Sequence, residues 1–314
     1  MRLREKIMKP QRPVVLYEII PPRMIDGSIE SYAGRISSLL SQTHIDGINI
    51  PEIHSEETRG SRPVGERLRA EPRDFGKIIQ DFVGIETVVN RVSVHHSFQA
   101  QEEWFKGTRE DYGIDNFIIV GGESSKIEYP GPDVNETAIM IEEINSKNNS
   151  DIFFGGISLP SRPIESKRML AKTSNGVDFF TTQVLYDSND VKKMLFHYML
   201  ACEEEGLNPR RVMLSFAPIS TIKNIEFLKW LGVEIPESTE AYLTEDSGVM
   251  LERSIEISLR VLDEILDYIV ENGISVPIGL NIEHVMSYNF QHSVELLQKM
   301  SVKYRKFCFD GFLS

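Results

Sequence analysis

The sequence predicts an α/β protein folded as a single (β/α)8 barrel, residues 13–314, behind a basic tail, residues 1–12. Three observations carry this. The 314 residues are 41% hydrophobic, ample for a large core and too apolar for a disordered chain. One unit recurs along the chain, a short β-branched or aromatic run, a polar turn, then apolar residues three and four apart, as in parallel βα units. No Gly-x-Gly-x-x-Gly turn follows any of these runs, which leaves an open doubly wound sheet as the second choice.

The runs are Val14 to Ile20, Ile45 to Ile50, Thr87 to Val94, Phe117 to Gly121, Ile152 to Ser158, Phe179 to Leu185, Val212 to Ala217 and Val276 to Ile282. They are apolar on both faces, which suits a parallel sheet buried under helices. Between them, Ile29 to Leu40, Glu136 to Asn145, Val191 to Glu204 and Ile225 to Leu231 have helical spacing. Eight such units in one chain close into one barrel. Between the seventh and eighth runs, Val233 to Gly273 holds eleven acidic and two basic residues, with Leu251, Ile255, Leu259, Leu262, Leu266 and Ile269 forming a stripe. A long extra helix outside the barrel, its acidic face in water, is expected there. Arg2, Arg4, Lys6, Lys9 and Arg12 read as a solvated tail.

A net charge of -13 opposes nucleic-acid binding as the main task. No apolar run approaches the roughly 18 residues of a membrane span, and the first thirteen residues lack the apolar segment of a signal peptide, so a cytoplasmic protein is expected. Cys202 and Cys308 read as structural thiols. No His-Glu-x-x-His, P-loop or Gly-x-Ser-x-Gly motif occurs and no lysine lies in a strand, so metal, phosphoryl-transfer, serine-hydrolase and Schiff-base chemistry lack their usual carriers.

Chemistry in such barrels collects at the C-terminal strand ends. Glu18 is an ionisable residue inside an apolar strand; burial raises a carboxyl pKa toward what a general acid needs, although an interior ion pair would also explain it. Gly121-Gly122-Glu123 allows close backbone approach to a flat or phosphorylated ligand, or is a plain turn. Gln183 offers an amide to a heterocycle edge, or is satisfied by backbone. Arg162, Lys167, Arg168 and Lys172 form a local cationic patch suited to a phosphate, or a solvated helix face.

In order along the chain, these strand ends resemble the methylenetetrahydrofolate reductase family. Tyr17-Glu18-Ile19-Ile20-Pro21-Pro22-Arg23 is similar to its opening strand, Asp178 to Asp187 to its Thr-Gln strand, and Pro218-Ile219-Ser220 with Gly232 to Pro236 to a later turn. The resemblance implies a flavin-dependent (β/α)8 barrel of one-carbon metabolism that uses FAD and NAD(P)H to reduce methylenetetrahydrofolate or a related pterin. Glu18 then takes the general-acid role and Gln183 contacts the pterin. Val120-Gly121-Gly122-Glu123 stands where the family has Leu-Arg-Gly-Asp, with Glu123 as the flavin-side carboxylate. Asn49, Asn90, Ser158, Arg162 and Lys172 complete the expected cofactor side. Ile222 stands at the position of a stacking aromatic, with Phe216 as substitute, and Asn281 completes the expected substrate side.

A flavin-free pterin-binding barrel or subunit is the alternative, and a cofactor-free lyase using Glu18 as base is a third. The expected state is a homo-oligomer or an assembly with a partner subunit. All these readings require Glu18, Glu123 and Gln183 to line one cavity.

Overall fold

A computed structural model describes residues 1–53, 62–63, 68–123 and 127–310. Eight parallel strands, β1 (Val15–Glu18), β2 (Gly47–Ile50), β3 (Thr87–Val92), β4 (Asn116–Val120), β5 (Phe153–Ser158), β6 (Phe179–Val184), β7 (Arg211–Phe216) and β8 (Ile278–Glu283), pair in sequence order and close β8 against β1. The barrel expected from the repeat is therefore the fold.

Strand alternation divides the core into two. Val15, Tyr17, Ile48, Val89, Phe117, Phe154, Phe180, Leu214 and Leu280 point outward under the helices. Val14, Leu16, Val88, Ile118, Phe153, Phe179 and Met213 point inward and fill the lower half of the barrel. The helices that follow the strands are α2 (Ile29–Leu40), α3 (Pro72–Val83), α4 (Phe98–Tyr112), α5 (Val134–Asn148), α6 (Glu165–Ser174) and α7 (Asn189–Glu204). Their ends are set locally. Ser28 accepts from the Ser31 N–H, and Asp133 with Glu136 forms a capping box.

Two expectations change. Residues 1–12 are not a solvated tail, because α1 (Leu3–Ile7) buries Leu3 and Ile7 against the inward core and closes the bottom of the barrel. Basic residues had signalled solvent, but two apolar residues four apart in so short a helix are enough to plug an open barrel end. Gly47 makes room for the plug, since a Cβ there would meet Leu3 Cδ2 at 2.8 Å. Arg211 holds it from inside, donating to the carbonyls of Ile7 at 2.9 Å and Pro10 at 3.2 Å. The second change lies between β7 and β8, where the chain forms α8 (Ile222–Trp230), α9 (Glu237–Thr244) and α10 (Met250–Glu271). The long acidic-faced helix α10 is itself the seventh barrel helix, packed on α7 and on α11 (Phe290–Asp310). The additional elements are the shorter α8 and α9.

Replacing Leu3 with alanine should lower stability by about 2 to 5 kcal/mol, the usual cost of emptying a closed apolar site. Chemical denaturation measures this, and a change below about 0.5 kcal/mol, usual for an exposed residue, would return the segment to solvent.

Candidate functional site at the barrel mouth

Above the apolar floor the inward positions turn polar. Glu18 closes β1, Asn49 lies on β2, Asn90 on β3, Thr181 on β6, Ser215 on β7, and Asn281 and Glu283 on β8. Register brings the first group together, because Glu18 pairs with Asn49 on one side and with Glu283 on the other. Asn49 Nδ2 donates to Glu18 Oε2 at 2.8 Å. Asn281 Nδ2 donates to Glu283 Oε1 at 3.0 Å and to Ser215 Oγ at 3.1 Å, and Ser215 lies 3.2 Å from Thr181 Oγ1.

These bonds consume amide N–H groups and leave carbonyls over. Asn49 Oδ1, Asn90 Oδ1 and Asn281 Oδ1 are buried with no hydrogen-bond partner among the described residues. Buried polar atoms are normally paired, so three unsatisfied acceptors around one opening mark a place for a donor-bearing ligand or for water.

Both carboxyls are held above their ordinary range. Burial raises Glu18 well above it, and the neighbouring Glu283 charge raises it again, against a lowering hydrogen bond from Asn281. Burial raises Glu283 to about 7, against lowering bonds from Ser215 and Asn281. Strands lie about 4.8 Å apart, and two like charges at that distance cost about 3 kcal/mol at an effective dielectric of about 20. That is about two pKa units.

Strand β8 ends in a strained turn. Val285 has φ 55°, a left-handed conformation unfavourable for a β-branched residue, and the Met286 N–H folds back to the His284 carbonyl around it. His284 is wholly buried behind the strand. Its Nε2 accepts from the Ile20 N–H at 3.0 Å, and its Nδ1 donates to the Met286 carbonyl at 3.1 Å, a neutral tautomer that ties the ends of β1 and β8 together.

Several expected site residues lie elsewhere. Gln183 follows a register irregularity between Thr181 and Val184, where Thr182 Oγ1 accepts the Ser215 N–H. The extra residue breaks the inward alternation. The Gln183 amide therefore donates to the Leu231 carbonyl at 3.3 Å and accepts from the Val184 N–H at 3.1 Å. It lines a separate cleft of about 720 Å³ with Leu159, Tyr186, Asp187, Gly232 and Glu234, a lining that excludes Glu18. Glu123 lies at the rim of β4, its N–H donating to the Tyr129 hydroxyl at 2.9 Å. Glu18, Glu123 and Gln183 thus occupy the same end of the barrel, but the cleft lined by Gln183 is not the opening that holds Glu18.

Phe216 is fully buried on the outer face of β7 and offers no platform at the mouth, while Ile222 is exposed at the start of α8. The reason is parity, since Phe216 follows the inward Ser215.

Three of the residues expected to hold a flavin, Ser158, Arg162 and Lys172, are engaged with other groups of the protein. Ser158 donates to the Thr181 carbonyl at 3.4 Å. Lys172 is buried outside β5, where Nζ donates to the Ile157 carbonyl at 2.6 Å and lies 3.8 Å from Glu165. Arg162 lies 3.6 Å from the same Glu165, so these two cations share one internal carboxylate. At Gly122 a Cβ would run into the Tyr129 ring, so this glycine makes room for a neighbouring side chain, whereas Gly121 and Val120 flank it at the strand end. Asn49 and Asn90, expected on the cofactor side, instead share the polar belt with Asn281.

Glu283 and His284 join the site from the end of β8 without a motif that marks them in the sequence. Glu283 was legible from spacing, being two residues beyond Asn281 on the same face of β8.

The overall shape has relatives among solved structures. An uncharacterized protein from Clostridium thermocellum that binds two copies of 5-methyl-5,6,7,8-tetrahydrofolic acid matches with a TM-score of 0.78 at 22% identity, over 96% of this chain and 99% of that one. A 2,3-dimethylmalate lyase of the PEP mutase/isocitrate lyase superfamily matches at TM-score 0.48 and 10% identity, over 97% of each chain. A monomeric dihydrodipicolinate synthase variant matches at 0.42 and 12%, over 95% of this chain and 98% of that one. The first likeness establishes a shared fold; the other two carry no functional argument. No protein-family model matches the sequence, and no curated protein does. No helix among the described residues is long and apolar enough to cross a membrane.

The buried His284 makes a pH prediction. Burial lowers its pKa to about 4 from 6.5, so between those values the unfolded chain binds more protons at this residue and its contribution to stability falls as the pH drops. Glu18 and Glu283, raised on folding, act in the opposite sense over part of the same range. The stability difference between wild type and His284→Gln should therefore shrink as pH falls from about 6.5 to about 4, by as much as about 3 kcal/mol. Denaturation at several pH values measures it, and a constant difference would contradict the neutral assignment.

Proposed function

We propose that the barrel mouth binds a reduced folate. The observation that carries this reading is the convergence of three unsatisfied amide oxygens, on Asn49, Asn90 and Asn281, with the Glu18 and Glu283 carboxyls above an apolar floor. A tetrahydropterin presents a 2-amino group and ring N–H groups along one edge of a flat, partly apolar heterocycle. It therefore needs several acceptors and an apolar base, which this opening supplies. An isoalloxazine edge is richer in acceptors and matches a ring of acceptors less well. The folate-binding barrel from Clostridium thermocellum, which shares the fold, supports the same ligand class.

Reduction of a one-carbon-loaded folate with FAD and NAD(P)H is the second reading. The raised Glu18 favours it, because a carboxyl kept in its acid form is of use where a bond to nitrogen is opened. The misplaced Ser158, Arg162 and Lys172 disfavour it.

Titration of the purified protein with 5-methyltetrahydrofolate should give saturable binding. Asn49→Ala and Asn281→Ala should each weaken it by about tenfold, the size of one buried hydrogen bond to a ligand. Unchanged affinity in both variants would remove the mouth as the site. The visible spectrum separates the two readings: protein that is colourless and does not take up added FAD would support the flavin-free binder, and flavin bands in the purified protein would support the reductase.

A further inference from the structure

We propose that Glu283 is a positioning residue that acts through Glu18, the two carboxyls sharing one proton that Glu283 keeps on Glu18 for transfer to a basic ring nitrogen of the ligand. The inference deepens the folate reading and rests on it for the ligand alone.

The geometry begins with closure of the barrel. Pairing of β1 with β8 sets Glu18 opposite Glu283, both inward. On its other side Glu18 meets Asn49, which is uncharged and occupies only Oε2. Glu283 Oε1 accepts from Asn281, whose amide is held in turn by Ser215. Among the described residues neither carboxyl forms an ion pair. Tyr186 is the other titratable group facing Glu283, and its hydroxyl is committed to the Ala217 carbonyl at 2.8 Å. His284 lies behind the strand, with both ring nitrogens engaged.

Two adjacent acids with no cation between them cannot both be ionised without mutual repulsion, so one proton stays. Asn281, backed by Ser215, stabilises the anion on Glu283. Glu18 also accepts from Asn49 and is lowered by Asn281, but its burial and the Glu283 charge facing it across the seam outweigh both, so the proton rests on Glu18. In the transfer, the Glu18 O–H bond breaks and an N–H bond forms on the ring nitrogen's lone pair. The resulting ligand cation faces two carboxylates, which offset its charge.

The infrared carboxylic-acid C=O band, titrated without ligand, tests the shared proton. Wild type should show a band that persists to neutral pH and is lost in Glu18→Gln. In Glu283→Gln its midpoint should fall by about one pH unit or more, and in Glu283→Asp by less in the same direction. Asp178, which burial pushes up to about 6, is common to every variant and cancels in the differences. A band with the same midpoint in Glu283→Gln and Glu283→Asp as in wild type, or no band assignable to Glu18 at neutral pH, would overturn the proposal. Circular dichroism and thermal midpoints confirm that each variant is folded, and the aspartate variant decides the matter should the glutamine variant not fold.

Calorimetric titration with 5-methyltetrahydrofolate at neutral pH, in two buffers of different ionisation enthalpy, tests the transfer. Glu283→Gln should take up more protons on binding than wild type, and equal uptake would refute the role assigned to Glu283. Failure of the folate to bind, with the infrared result intact, would sink the folate reading and the transfer while showing that the pair holds its proton.

Discussion

The pairing of β1 with β8 is the constraint on which the rest of this molecule depends. Closing the sheet is what places Glu18, from the start of the chain, beside Glu283, from its last strand. Neither would remain buried unpaired in an open sheet, where water would solvate both. Inside the closed barrel they share a wall with amides and rest over Leu16, Phe153, Phe179 and Met213. The floor matters electrostatically as well as sterically, since it removes the solvent that would otherwise screen one acid from the other.

Two features far from the carboxyls keep that arrangement in place. Below, α1 seals the barrel and Arg211 ties its carbonyls to the base of β7. Above, His284 bonds the backbone just past β1 to the turn just past β8, across the seam that closure creates. The strained Val285 sits in that turn. A conformation of this kind costs of order 1 to 3 kcal/mol and persists where surrounding bonds over-determine it. Here the histidine supplies them, so the strain fixes the direction in which β8 leaves the mouth.

The barrel was legible because its signal is periodic and repeated, so an error at one strand boundary leaves the count intact. Glu18 was legible because a carboxylate between Tyr17 and Ile19 contradicts its neighbourhood. Asn49, Asn90 and Asn281 could be placed near strand ends, but what distinguishes them is an unused oxygen, and hydrogen-bond satisfaction is not written in sequence. Phe216 and Gln183 failed for opposite reasons. Phe216 obeys alternation, which counting from Ser215 would have revealed, whereas Gln183 violates it through the irregularity beside Thr182, which no local pattern announces. Lys172 read as a phosphate ligand because it is a cation after a strand. Its burial against Phe180 and Glu165 depends on how α6 packs, a tertiary fact.

The account assigns ligand recognition to a ring of acceptors and proton chemistry to one edge of that ring, and it separates both from the cleft that Gln183 lines. A crystal structure of the protein soaked with 5-methyltetrahydrofolate tests this assignment most directly. The account predicts the pterin ring inside the mouth, its amino edge within hydrogen-bond distance of Asn49, Asn90 or Asn281 and a ring nitrogen facing Glu18. A pterin bound only in the cleft beside Gln183 and Glu234, with the mouth filled by water, would contradict it.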